Sequence, residues 1–359
     1  MKKMTGRLLS ISAALLLLTN SVTAFAEQGS ANIVSASSVP ESAQSAQAGS
    51  GGSASEGTAE KKSAPIIMNQ GVRQNSYELG LGGATVTMIK GKESGQQLAI
   101  VVKSNDGRII VVDGGFKTNA PYLGEYIKAN GGKVAVWLLT HPHVDHVGAL
   151  DVMLEQQRSG NPKDFAKIDL GEIYYSFAPM DFYKAHEQQY RLPVIQESYD
   201  DIAAYDQSKV HYNSPAGTSF DIGNVNVQIL NQPYLFDIDT GNNSSICYML
   251  TINGKKILIT GDLPYEAAEQ LLKDRGAAAL KADVVQLAHH GQHGGSFAFY
   301  SAVGAKYALW PTPQSLWDKR DEAFTEDQQT YTIALTRHWM NKLSVEQNFV
   351  MADGDWTFR

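Results

Sequence analysis

The sequence predicts an α+β fold in which two mixed β-sheets carry helices on their outer faces. From about residue 70 onward, short apolar segments with strand patterning alternate with segments of helical pattern. The strand segments also occur in closely spaced, hairpin-like clusters, which is not typical of a purely parallel sheet. We therefore expect a single domain built from these two sheets.

The first half of this domain has strong strand and helix signals. Apolar or alternating runs predict strands at 84–90, 97–103, 108–113 and 134–140. Helices are expected at 119–130, where Gly131-Gly132 provides a stop, and at 146–157. Residues 160–210 are rich in Tyr, Phe, Asp and Glu, and we expect them to form a helical, aromatic-rich insert.

The second half repeats the same mixture of elements. Strands are predicted at 225–230, 245–252, 256–260, 282–287 and 306–310, and helices at 264–274, 297–303 and 327–341. The last two strands, 348–352 and 356–359, are predicted to form a closing pair with each other.

The first 26 residues have the pattern of a signal peptide. Basic residues precede an apolar run at 8–18, and Ala24-Phe25-Ala26 matches the small-x-small form of a cleavage site. An uncleaved anchor helix is the alternative, but the apolar run is short for one. We expect cleavage after Ala26 and a secreted or cell-wall-associated protein with no membrane span.

The remaining chain divides into two parts. Residues 27–68 are rich in Ser, Ala and Gly and predict a disordered tether, whereas 69–359 form the folded domain. The single cysteine, Cys247, excludes an internal disulfide and lies in an apolar run, where a buried role is expected. The net charge of −7 becomes −10 when Lys2, Lys3 and Arg7 are removed, which disfavours nucleic acid as a partner.

One short segment carries the chemistry of the chain. His141, His143, Asp145 and His146 lie within six residues, directly after a buried strand. His141 and His143 alternate as in extended backbone, so both side chains can point the same way. Imidazole nitrogens and carboxylate oxygens are zinc-type ligands. A surface histidine cluster is the alternative, but the spacing favours a metal site.

Further ligands are expected at other strand ends. Asp262 follows the strand 256–260 and can bridge two metals, although it can also cap the next helix. His289 and His290 follow the strand 282–287. One is expected to be a metal ligand, and the other to hydrogen-bond to a ligand or to act as a proton donor. Asp113 ends the strand 108–113, where it either orients a ligand histidine or only forms a turn.

This ordered set resembles the metallo-β-lactamase superfamily over about residues 75–315. The resemblance implies a four-layer αβ/βα sandwich and a zinc hydrolase. Asp113 matches the first motif, His141-x-His143-x-Asp145-His146 the second, Asp262 the fourth and His290 the fifth. The implied ligands are therefore His141, His143, Asp145, His146, Asp262 and His290 around two Zn²⁺, with Mn²⁺ as an alternative, and the implied catalytic residues are Asp145, His289 and Asp113.

The third motif departs from the family pattern. Where many members have a histidine, this chain has Asn242 and Asn243, and an amide is a weak, neutral zinc ligand. His186 and His211 are other possible substitutes, although each more simply occupies an ordinary helix or strand face. The Asn-Asn-x-Ser form, with Gly-Asp-Leu and His-His-Gly later, is similar to the extracellular hydrolase branch of DNA-uptake competence proteins.

The branch resemblance implies hydrolysis of a phosphoester, with phosphodiesters favoured. A small-molecule or cell-surface phosphoester fits the tether and the negative charge better than nucleic acid does. Acyl or lactone hydrolysis, an extracellular nuclease and a non-catalytic surface protein remain alternatives. The insert aromatics can wall a pocket or simply pack in the core; they are Tyr174, Tyr175, Phe177, Phe182, Tyr183 and Tyr190.

Overall fold

The computed structural model describes residues 71–325 and 332–359. The expected signal peptide, the expected tether and residues 327–331 of a predicted helix lie outside these ranges. The strands are β1 Gln74–Tyr77, β2 Thr85–Met88, β3 Ala99–Lys103, β4 Ile109–Asp113, β5 Lys133–Leu138, β6 Asp169–Tyr175, β7 Val210–Tyr212, β8 Ser219–Ile222, β9 Val225–Ile229, β10 Tyr248–Ile252, β11 Lys255–Ile259, β12 Val284–Gln286, β13 Tyr307–Trp310, β14 Gln347–Val350 and β15 Asp355–Phe358.

The helices lie between these strands along the chain. They are α1 Ala120–Ala129, α2 Val144–Arg158, α3 Met180–His186, α4 Leu192–Ala203, α5 Thr240–Asn243, α6 Tyr265–Arg275, α7 Ala277–Leu280, α8 Phe297–Val303, α9 Gln314–Trp317 and α10 Ile333–Lys342. In the ranges that the structure describes, no helix combines the length and apolar character needed to cross a membrane.

The strands form two mixed sheets, which confirms the predicted fold class. The first sheet has the order β1-β15-β2-β3-β4-β5-β6-β7, and the second has the order β14-β13-β12-β11-β10-β9-β8. In the first sheet, β2, β3 and β4 pair antiparallel, whereas β4, β5 and β6 pair parallel. In the second sheet, β9 to β11 are antiparallel and β11 to β14 are parallel.

Alternate residues of strand β4 pack on the two opposite faces of the first sheet. Ile110 and Val112 pack in the core between the two sheets, whereas Ile109 and Val111 pack on the opposite face with residues of α1 and α2. Because both faces are covered, every residue of this strand is buried, and its sequence is apolar from Ile109 to Val112. A third core lies between the second sheet and α6, α8 and α10. The result is the four-layer arrangement that the resemblance implied.

The helix after the histidine motif begins earlier than predicted. Helix α2 starts at Val144 instead of residue 146, so Asp145 and His146 both lie in its first turn. An acidic side chain is favourable there because the backbone N–H groups at a helix N-terminus carry partial positive charge.

The segment 160–210 is not helical throughout, contrary to the prediction. It contains α3 and α4, but β6 runs through it and pairs in parallel with β5. Charged residues and Gly171 obscure the strand pattern. The glycine is required because a Cβ there would overlap the backbone carbonyl of Ala135 on the neighbouring strand.

The predicted pairing of the last two strands is wrong. Strand β14 pairs with β13 in the second sheet, whereas β15 lies between β1 and β2 in the first sheet. The chain crosses between the sheets at Met351–Asp353 and Gly354, which adopts φ 121°. A side chain at Gly354 would overlap the carbonyl of Arg73, so the crossing depends on glycine.

Helices α2 and α4 share a buried carboxyl group that makes stability depend on pH. Asp151 Oδ2 accepts a hydrogen bond of 2.9 Å from Ser198 Oγ. Burial, reinforced by the charge of Asp201, raises the pKa of Asp151 to about 8. The folded protein therefore keeps a proton that the unfolded chain releases above its ordinary pKa of 3.8. Stability from this group is complete below that value and is lost as the pH rises towards 8.

Replacing Asp151 with Asn should remove this dependence, because the amide stays neutral in both states. We expect Asp151→Asn to raise the Tm by about 2–6 °C at pH 8.5 and by less than about 2 °C at pH 5. Differential scanning calorimetry measures both shifts. Asp200→Asn, at an exposed position of the same helix, serves as the control. An equal Tm shift at the two pH values would contradict the assignment.

Candidate metal centre

Four strand ends meet at one edge of the two sheets. Strands β4 and β5 are parallel neighbours in the first sheet, and β11 and β12 are parallel neighbours in the second. The residues that follow the carboxyl ends of these strands therefore lie close together. Asp113 ends β4, the histidine motif follows β5, Asp262 follows β11, and the two histidines follow β12.

The backbone is held in an unusual conformation at three of these positions. Asp113, His289 and His290 have φ values of 54°, 51° and 57°, in the left-handed region that non-glycine residues rarely adopt. Each such residue costs on the order of 1 kcal/mol or more, and such conformations concentrate at functional sites. Here all three residues lie at the strand ends that form the cluster.

Four side chains form a compact group of potential metal ligands. Asp145, His146, Asp262 and His290 each offer one ligand atom, and these atoms lie within 4.8 Å of one another. Asp262 Oδ1 lies 3.2 Å from His146 Nε2, and Asp262 Oδ2 lies 3.3 Å from His290 Nε2. His290 Nε2 also lies 3.1 Å from Asp145 Oδ2.

The residues fit a divalent metal of the zinc type. His146 Nε2 and Asp262 Oδ1 are buried and face each other at 3.2 Å, but neither makes a hydrogen bond within the described part of the chain. Leaving two such atoms unpaired is costly unless a ligand satisfies them. His146 Nδ1 lies 2.7 Å from Asp113 Oδ2, and His290 Nδ1 lies 2.9 Å from the carbonyl of Pro311. Both contacts leave Nε2 free to ligate, as in carboxylate–histidine–metal arrangements.

The remaining two histidines of the motif form a second group beside the first. His141 Nε2 and His143 Nδ1 lie 3.0 Å apart, and His141 Nε2 lies 3.9 Å from Asp262 Oδ2. His141 therefore directs a nitrogen towards the carboxylate that already faces the first group, and His143 directs one towards His141. This geometry suits Asp262 as a residue shared between two metal positions.

The third-motif segment contributes amides instead of a histidine. Asn242 donates its amide to both oxygens of Asp239, and Asn243 donates to the carbonyl of Ile238. The Oδ1 atoms of both asparagines are buried without a hydrogen-bond partner among the described residues. They remain candidates for a weak third ligand.

The other two histidines considered for this position lie elsewhere. The ring of His211 stacks on Tyr174, and its Nε2 lies 3.3 Å from Glu172. His186 ends α3 and packs against Phe182. Among the described residues, neither belongs to the group of potential ligand atoms, which favours an ordinary structural position for each histidine.

Asp113 makes three hydrogen-bond contacts within the site. Its oxygens accept bonds from the backbone N–H of Thr140 at 2.8 Å and the Thr140 hydroxyl at 2.7 Å, in addition to the contact with His146. Its side chain is fully buried. Asp113 therefore holds the ring of His146 in place and ties the histidine loop to β4.

The structure also places Glu187 at the site, which the sequence analysis did not identify. Its Oε2 lies 3.7 Å from His143 Nε2 and accepts a hydrogen bond of 2.6 Å from the backbone N–H of Gly241. Burial raises the pKa of Glu187, but His143 and backbone donors outweigh it and hold the pKa at about 2. A side chain at Gly241 would overlap His143 Nε2, so only glycine permits this approach.

Burial and neighbouring charges shift the pKa values of the cluster residues in opposite directions. Burial lowers the pKa of His141 well below its ordinary value and also lowers that of His289. For His290, burial is outweighed by the nearby Asp262 and Asp145, and the pKa rises to about 9. For Asp145, burial is outweighed by His146 and His290, and the pKa falls to about 2. Asp145 is thus ionised, as metal ligation requires.

A cavity of about 310 Å³ opens onto the cluster. Among the predicted site residues, it exposes His143, Asp145, Asp262, His289 and His290. Of the aromatic residues of the insert, Tyr190 lines the cavity, whereas Phe177 and Tyr183 are buried in the core. A volume of this order accommodates a small-molecule ligand.

The comparison with protein families agrees with this arrangement. A family model described as the metallo-beta-lactamase superfamily matches residues 94–159, which include Asp113 and the whole histidine motif. The match covers less than half of the chain, and the two mixed sheets with outer helices have the arrangement of the metallo-β-lactamase fold. No curated protein matches the chain.

Several solved structures are similar to this chain in outline. YhfI from Bacillus subtilis, a metallo-beta-lactamase fold protein, is 11% identical with a TM-score of 0.44, over 76% of this chain and 99% of that one. Zn(2+)-bound PqqB from Methylobacterium extorquens is 14% identical with a TM-score of 0.41, over 76% and 99%. MEM-A1, a subclass B3 metallo-beta-lactamase from a soil metagenome library, is 13% identical with a TM-score of 0.38, over 76% and 94%.

Proposed function

We propose that this protein of metallo-β-lactamase fold is a metal-dependent hydrolase that cleaves phosphoesters, with phosphodiesters as the preferred class. The observation that carries the proposal is the convergence of Asp145, His146, Asp262 and His290, whose ligand atoms lie within 4.8 Å of one another. The fold and this cluster support the hydrolase class, and the resemblance of the third-motif segment to the competence-type branch supports the phosphoester.

These residues would hold two divalent ions, with zinc favoured and manganese as the alternative. Asp145, His146 and His290 would bind one ion, His141 and His143 the other, and Asp262 would face both. A bound ion of this kind lowers the pKa of a coordinated water to near neutrality and stabilises negative charge on the substrate. The position on His141 and His143 is expected to bind more weakly, because Asn242 and Asn243 replace a histidine.

The surrounding residues position the ligands and face the substrate. Asp113 and the Pro311 carbonyl fix the rings of His146 and His290. His289 lines the cavity, and its Nε2 lies 3.9 Å from Asp262 Oδ2 and 3.4 Å from the Asn242 amide. We propose that His289 acts as a general acid, which donates a proton from a ring N–H group to the leaving oxygen of the substrate.

The proposed substrate is a small-molecule or cell-surface phosphoester. A cavity of about 310 Å³ fits such a ligand, and the net charge of −7 disfavours a long polyanion. The proposal also includes export, because the N-terminal pattern of basic residues, apolar run and Ala24-Phe25-Ala26 is typical of a signal peptide.

A substrate screen tests the proposal. The purified chain, loaded with Zn²⁺ or Mn²⁺, is assayed with bis-p-nitrophenyl phosphate, p-nitrophenyl phosphate, a lactone, a chromogenic β-lactam and single-stranded DNA. We expect the phosphodiester to be cleaved with a kcat/KM at least about tenfold above that of the other compounds, and chelation to abolish the rate. Cleavage of the lactone or the β-lactam, with no cleavage of either phosphoester, would overturn the proposed substrate class.

A further inference from the structure

Arg191 is the one lysine or arginine among the described residues that line the cavity. It directly precedes α4, in the insert between the parallel strands β6 and β7. Its side chain is 26% exposed, so the guanidinium is only partly withdrawn from solvent. A positive group in this place is notable because the cavity otherwise exposes the carboxylates of Asp145 and Asp262.

The guanidinium is held in position by the residues around it. Arg191 Nη1 lies 3.3 Å from Glu187 Oε1 and 3.2 Å from His143 Nε2. The guanidinium carbon also lies 5.6 Å from the centroid of the Tyr190 ring. Glu187 is itself fixed, since its two oxygens accept backbone N–H groups of Gly241 and Gln188 at 2.6 and 2.8 Å. The guanidinium is therefore paired with the buried carboxylate of Glu187 and lies beside His143.

These contacts leave donors for a ligand. Both the Glu187 contact and the His143 contact use Nη1, so Nε and Nη2 are not committed to either residue. A guanidinium presents its N–H groups in a planar fork that matches two oxygens of a phosphate or carboxylate. Because Asp145 and Asp262 are expected to ligate metal, Arg191 is the cavity group best suited to bind an anion.

We propose that Arg191 binds an anionic phosphoryl oxygen of the substrate and selects charged phosphoesters over neutral esters. This inference rests on the proposed function for the identity of the bound group. The insert would then take part in substrate selection, through Arg191 and through the Glu187 carboxylate that holds Arg191 in position. Glu187 is a positioning residue in this scheme, because it contacts Arg191 and His143 and does not line the cavity.

Inorganic phosphate is a direct probe of this site. Isothermal titration calorimetry measures its affinity for the zinc-loaded full chain and for Arg191→Gln, Arg191→Lys and the control Arg158→Gln. Arg158 also pairs with a carboxylate, Asp201 at 2.7 Å, but lies at the far end of α2. We expect Arg191→Gln to weaken phosphate binding about 10- to 100-fold, Arg191→Lys to weaken it less, and Arg158→Gln to leave it unchanged.

A kinetic comparison separates selection from a general structural effect. For Arg191→Gln, kcat/KM should fall about 10- to 100-fold on bis-p-nitrophenyl phosphate and less than about threefold on the neutral p-nitrophenyl acetate. Zinc content is measured for each variant, to show that the metal cluster is intact. Equal losses on both esters, or phosphate affinity unaffected by Arg191→Gln, would overturn the inference.

The two proposals fail in different ways. If the wild-type protein cleaves no phosphoester but still binds phosphate through Arg191, the proposed function is wrong and the anion site stands. If the wild-type protein does not bind phosphate at all, the role of Arg191 is wrong whichever substrate the enzyme accepts.

Discussion

Replacing Asp262 with Ala should reduce the hydrolytic rate by about 10³-fold or more, the largest effect expected of any single change. Asp262 Oδ1 faces His146, and Oδ2 faces both His290 and His141. One carboxylate thus contacts both groups of ligands, and its loss should weaken both metal positions together. The measurement is kcat/KM with the best phosphodiester from the screen.

A matched carboxylate at the other end of the same sheet controls for general damage. Asp283 directly precedes β12 and accepts a hydrogen bond of 2.9 Å from the backbone N–H of Lys256. Asp283→Asn should therefore retain nearly full activity. Circular dichroism establishes that both variants are folded. Asp262→Ala activity within about tenfold of wild type in a folded protein would rule out the shared carboxylate.

Replacing Asp113 with Asn should weaken metal binding by about 10- to 100-fold, although Asp113 is not expected to be a ligand. The carboxylate accepts two bonds from Thr140 and one contact from His146 Nδ1. An amide has one oxygen and one NH2 group, so it cannot accept from both the Thr140 backbone N–H and His146 Nδ1–H in the positions that the two carboxylate oxygens occupy. The expected cost in the free energy of unfolding is about 1–3 kcal/mol.

Zinc affinity measured by competition with a chromogenic chelator checks this prediction. Asp106→Asn serves as the control, because Asp106 is a surface carboxylate that pairs with Arg108 at 2.7 Å. Unchanged zinc affinity in Asp113→Asn would show that the contact with His146 does not orient the ring. Loss of stability without loss of affinity would restrict Asp113 to a structural role.

The parts of the site that could be predicted lie at the ends of buried strands. Each apolar run identifies a strand, and the polar residue that follows it identifies the sheet edge, as for Asp113 and Asp262. The histidine motif is dense enough to indicate a metal site without any other information. Four strand ends of this kind, in two sheets, were sufficient to predict that these side chains meet.

Other features depend on contacts that leave no local signal. Glu187 and Arg191 lie in a segment whose sequence resembles an ordinary helical surface, and nothing in that sequence indicates their contacts with Gly241 and His143. Likewise, β14 and β15 each have a good strand pattern, but neither pattern indicates that β14 pairs with β13 and that β15 lies between β1 and β2. Pairing between distant strands is set by tertiary packing and not by propensity.

The metal content of the full-length protein tests the central claim most directly. Inductively coupled plasma mass spectrometry on wild-type protein and on Asp262→Ala counts the ions bound after equilibration with zinc and desalting. The account predicts roughly two ions per wild-type chain, the second lost more readily, and a large loss of both from Asp262→Ala. A wild-type protein that binds neither zinc nor manganese, or an Asp262→Ala variant with the full complement of metal, would contradict the account.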